Sequence, residues 1–101
     1  MKKLVLVAVL WLSSTAYAGN YPLGTMTCDG IGQFASEAQG WRVAGKSRDD
    51  ALAALETRTY GDPVEKKNLL MIVDLIFGSY GRNWSVETAG NILRNDCLKG
   101  R

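Results

Sequence analysis

The sequence predicts an all-α protein, a compact bundle of about four short helices tied by one disulfide. Three observations carry this. Apolar residues recur at intervals of three and four through most of residues 27–99, and no stretch alternates with the period of two that marks a strand. The chain's two cysteines, Cys28 and Cys97, stand near the two ends of that periodic region. No internal repeat interrupts it.

The chain opens with Lys2-Lys3, nine apolar residues from Leu4 to Leu12, and the small-residue site Ala16-Tyr17-Ala18. That is the form of a cleaved secretory signal peptide over residues 1–18. The apolar run is about half the roughly 20 residues that a membrane span needs, so no span is expected in the mature form. Residues 19–101 then form a single small helical domain, periplasmic or secreted. Gly19 rather than cysteine follows the cleavage site, so no lipid anchor is expected. Two of the 12 basic residues lie in the signal, which leaves basic and acidic residues balanced at 10 each. A mature net charge of zero gives no reason to expect a nucleic-acid or anionic-membrane partner.

Two cysteines in a small exported chain most often pair. The pair here is separated by 69 residues, and a bridge closing so long a loop is worth roughly 4 kcal/mol on the chain-entropy model. The alternative, redox-active thiols, prefers a C-x-x-C spacing.

Residues 19–26, with Pro22 and Gly24, read as an extended lead. The first helix is expected from Thr27 or Cys28 to about Ala44. Its inward line is Cys28, Ile31, Ala35, Ala38 and Arg42, bordered by Phe34 and Trp41. Gly45 is placed to end it in the left-handed region. Ser47 caps a second helix of about three turns, with Asp49 and Asp50 at the positive end of its dipole. Asp62-Pro63-Val64-Glu65 is the clearest start signal, with a capping aspartate, proline at the first helical position, and Glu65 reaching back. The third helix runs to about Ser79. It is apolar almost all round, which predicts the central position in the fold. Gly81 to Trp84 reads as a loop. The fourth helix starts at Ser85, turns Val86, Ala89, Leu93 and Cys97 inward, and ends at Gly100.

The absence of histidine excludes Ser-His-Asp and Cys-His catalytic arrangements and His-ligated zinc. No phosphate-binding glycine loop or EF-hand loop is present, and no cofactor or metal is expected. Carboxylates remain. Asp74 interrupts the apolar run Leu69 to Phe77, and a carboxylate there must be paired, protonated or turned to solvent. A structural ion pair with Arg42 is the expectation. Trp41, Tyr80, Arg82 and Trp84 have the composition of an interaction surface, because Trp, Tyr and Arg dominate interface hot spots. The same rings could instead complete the core, and Trp84, just before the capping Ser85, is placed to pack on its own helix as a staple.

The run Cys28-x-x-Ile31-x-x-x-Ala35-x-x-Ala38-x-x-x-Arg42-x-x-Gly45-x-Ser47, followed by an apolar helix ending in Tyr80 and a closing Cys97, resembles a loose group of small proteobacterial proteins. These are exported, helical, two-cysteine proteins of unknown function. The likeness covers nearly all of the mature chain, and Arg42-x-x-Gly45-x-Ser47 is its most recognisable part. Here Tyr80 is followed by Gly81-Arg82-Asn83, without a proline. The resemblance implies export and a helical fold, and it lends no activity.

The leading expectation is a non-catalytic exported module that binds another exported or envelope protein, in the manner of an inhibitor or an immunity protein. An acid-chaperone role is disfavoured by zero net charge and the lack of histidine. The alternatives are a small hydrolase or accessory subunit using Asp74 or Glu37, and a small-ligand carrier with a pocket between helices.

Overall fold

The structure, a computed structural model, describes residues 21–100, with only the backbone of Tyr80. The expected signal peptide and the mature start at Gly19 lie outside the described residues. Four helices follow in order: α1 (Cys28–Val43), α2 (Arg48–Glu56), α3 (Pro63–Ile76) and α4 (Val86–Lys99), with a 3₁₀ turn at Tyr80–Asn83 between α3 and α4. Cys28 and Cys97 are joined, with their Cα atoms 5.5 Å apart. The bridge ties the first residue of α1 to the last turn of α4.

Local chemistry sets each boundary. Thr27, Ser47, Asp62 and Ser85 each accept a hydrogen bond from the backbone N–H three residues on, so every helix start is capped by its own side chain. At α2 the cap is reciprocal. Ser47 Oγ accepts from the Asp50 N–H, and Asp50 Oδ2 accepts from the Ser47 N–H at 2.9 Å. Helix α1 ends in a Schellman arrangement. Gly45 has φ +91°, its N–H donates to Arg42 O, and the Lys46 N–H donates to Trp41 O. Glu65 reaches back as expected, but to the N–H of Gly61, one residue before the cap.

The lead, expected as extended, turns at Leu23–Met26, where the Met26 N–H donates to Leu23 O, and Asp62 pins it. Asp62 caps α3 through Oδ1 and accepts from the Thr25 N–H through Oδ2 at 3.1 Å. Leu23 and Gly24 both adopt positive φ, and the close approach of the Asp62 carboxylate leaves no room for a Cβ at Gly24. Tyr21 is buried in the core.

Helix α1 takes the central position, with α3 and α4 packing on it and α2 resting mainly on α3. The expectation of a central third helix is therefore corrected. Small residues explain it. Gly32, Ala35 and Ala38 let two helices approach α1 closely, and a Cβ at Gly32 would lie 2.8 Å from Gly90 O. In α3, Leu69, Ile72, Val73 and Ile76 are buried, whereas Leu70, Met71 and Leu75 are only half-buried along its edges. The α3 helix also stops at Ile76, short of Ser79, and Val86 is 40% exposed rather than turned inward.

Candidate functional site

The segment from Phe77 to Ser85 joins α3 to α4, and two side chains of α1 hold it. Gln39 and Arg42 stand three residues apart, hence on neighbouring turns of one face. Gln39 is buried and spends both amide hydrogens on this segment, donating to Gly81 O at 2.9 Å and Trp84 O at 2.7 Å. Arg42 is half-buried and donates through Nη1 to Ile76 O at 2.6 Å and Gly78 O at 2.7 Å. Those are carbonyls at and beyond the end of α3, where a cation is favoured by the helix dipole. The Ser36 hydroxyl donates to Val86 O at 2.9 Å and fixes the start of α4 in the same way. Gly81 is buried against the Ile76 carbonyl, and any Cβ there would overlap it.

The backbone between the two helices is thus set by side chains of a third. It carries Arg82 and Asn83 exposed, and Trp84 half-buried against the core. Sequence reasoning read this stretch as a loop and missed Gln39. The signal available was positional: Gln39 lies four residues after Ala35 and three before Arg42, on the helix's inward line.

Three of the four expected surface residues have described side chains, and no contact joins Trp41 to the other two among the described residues. Arg82 and Trp84 share the turn. Trp41 lies apart, edge-to-face with Phe34 at 5.8 Å between ring centroids, and lines a groove of about 400 Å³ with Lys46 and residues of α2. Nothing is described of the Tyr80 side chain.

The expected Arg42–Asp74 pair is not formed. Arg48 Nη2 meets Asp74 Oδ1 at 2.5 Å, and both side chains are more than half exposed. The reason is angular. Asp74 falls on the outer ridge of α3, opposite the buried Leu69, Ile72, Val73 and Ile76, while Arg42 reaches that helix at its end. The second candidate acid, Glu37, receives both guanidinium nitrogens of Arg58 at 3.0 and 3.2 Å. Arg58 also lies 5.1 Å over the Phe34 ring. Each candidate acid is therefore bound to an arginine, and the two belong to different helices.

A second groove, of about 300 Å³, runs between α1 and α4 above the Gly32–Gly90 approach, rimmed by Asp29, Gln33 and Glu87. Among the described residues no His, Cys, Asp or Glu side chains group closely enough to hold a metal ion. No described helix is long and apolar enough to cross a membrane. No protein-family model, curated protein or solved structure matches the chain.

Proposed function

We propose that the protein is a non-catalytic, exported protein-binding module, and that its contact surface centres on the turn carrying Arg82, Asn83 and Trp84. One observation supports this above the rest. Five hydrogen bonds from Ser36, Gln39 and Arg42 fix five carbonyls, those of Ile76, Gly78, Gly81, Trp84 and Val86, while the side chains at 82 and 83 stay free of the core. Satisfying so many backbone carbonyls with side chains is more than chain reversal needs, since a short loop can leave them to water. Holding a contact segment in one geometry lowers the ordering cost of binding. Arg and Trp are also the residue types that dominate binding energy at interfaces.

The test is affinity capture from periplasmic extract with the mature domain as bait, run beside Arg82→Ala/Asn83→Ala. One stoichiometric partner on the wild-type bait is expected, reduced at least about tenfold on the double variant. Circular dichroism should show both baits equally folded. A capture that stays empty across growth conditions, or a partner held equally by both baits, would sink the proposal.

A further inference from the structure

We propose, resting on the protein-binding reading, that Arg82 is the recognition element of the turn and that it takes a carboxylate from an acidic segment of the partner protein. The described residues contain five arginines, and four of them are committed within the fold. Arg42 donates to Ile76 O and Gly78 O, Arg48 to Asp74, Arg58 to Glu37, and Arg94 to Asp29. The Arg82 side chain makes no hydrogen bond or ion pair with any described side chain, and only its backbone N–H is engaged, donating to Ser79 O. Its backbone is nevertheless held in place, in the 3₁₀ turn between Gly81 and Trp84, whose carbonyls both accept from Gln39.

A guanidinium is a planar fork that matches a carboxylate with two parallel hydrogen bonds. An exposed ion pair is normally worth little, because two long side chains must be ordered and water screens the charge. A fixed turn removes part of that ordering, and the half-buried Trp84, two residues on, is itself anchored against the core. Glu87, the nearest acidic residue along the chain, makes no bond to Arg82. Among the described residues no carboxylate takes this charge, and we assign it to a group of the partner. A polyanion such as nucleic acid or a lipid surface calls for a field of basic residues, and this chain balances its charges outside the expected signal. A lone, pre-set guanidinium suits a carboxylate presented by a protein.

The experiment is a titration of the isotope-labelled mature domain with hexaglutamate, followed by nuclear magnetic resonance at the Arg82 Nε–H, the Asn83 amide and the Trp84 indole N–H. A saturable shift confined to these signals is expected, while hexaglutamine leaves them in place. Arg82→Gln should weaken the response of Asn83 and Trp84 at least about tenfold. Arg82→Lys should restore only part of it, because the charge returns without the fork. Both variants should keep the wild-type melting temperature, since the Arg82 side chain bonds no described residue. Equal saturable shifts with inorganic phosphate or phosphatidylglycerol vesicles would overturn the carboxylate assignment. So would an unsaturable drift shared by Lys46, Lys67 and Lys99, or no shift at all. A silent titration beside a partner lost on the 82/83 double variant defeats this inference alone, whereas an empty capture defeats the binding reading.

Discussion

Gln39 is the residue on which the turn depends most. Its two donated hydrogen bonds are buried or nearly so, and removing them leaves two carbonyls without their donors. Gln39→Leu keeps the volume and is expected to lower the unfolding free energy by about 2–3 kcal/mol in urea titrations. Asp74 stands at the other extreme. Its pair with Arg48 is exposed on both sides, so a double-mutant cycle with Asp74→Asn and Arg48→Gln should give a coupling of at most about 1 kcal/mol. The cycle of Asp74→Asn with Arg42→Gln should be additive, because Arg42 is committed to carbonyls instead. A coupling above that level with Arg42 would contradict the geometry. The apolar run around Asp74 pointed to a partly buried carboxylate in need of a cation, and the structure turns it to solvent beside Arg48 instead. That outcome was not legible, since it depends on where the carboxylate points around α3.

At the scale of the element, the caps were legible and the packing was only half so. Ser47, Asp62, Ser85 and Gly45 each act as their residue types dictate, because capping is settled within four or five residues. The central position of α1 was not legible, because hydrophobic count favours α3 whereas close approach favours a helix of small residues. The glycines of α1 show the difference and allow a paired prediction. A Cβ at Gly32 would lie 2.8 Å from Gly90 O and 2.9 Å from Arg94 Cβ. Gly32→Ala should therefore push α4 from α1 and cost about 1–3 kcal/mol. At Gly40 nothing lies within 4 Å of the added atom. Gly40→Ala should stabilise the protein by about 1 kcal/mol through helix propensity alone. Urea midpoints moving in the same direction for both variants would refute this account of α1.

For the molecule as a whole, the disulfide and the titrating groups set the conditions under which the fold persists. Cys28 and Cys97 are both buried, and their bridge closes a loop of most of the described chain. Reduction, or Cys28→Ala with Cys97→Ala, should remove roughly 4 kcal/mol and lower the melting temperature steeply. Hydrogen bonds to the capping carboxylates hold Asp50 and Asp62 below the usual carboxylate value of 3.8. Their contribution is full above that value and is lost as pH falls below it, so Asp62→Asn should flatten the acid limb of stability against pH. Burial, with a smaller effect of Asp96, pushes the Tyr21 phenol up to about 12. The unfolded chain ionises first, near 10, so stability should fall between pH 10 and 12, and Tyr21→Phe should remove that slope.

The central claim is that this small bundle exists to present its fixed turn to a protein. The most direct measurement places a photo-crosslinking side chain on that turn, Asn83→p-benzoylphenylalanine, in cells carrying the full chain. The same group at Asn95, exposed on α4 away from the turn, serves as the comparison. A single adduct of defined mass from position 83, absent from position 95, is the predicted result. No adduct at 83, or the same adducts from both positions, would contradict the claim.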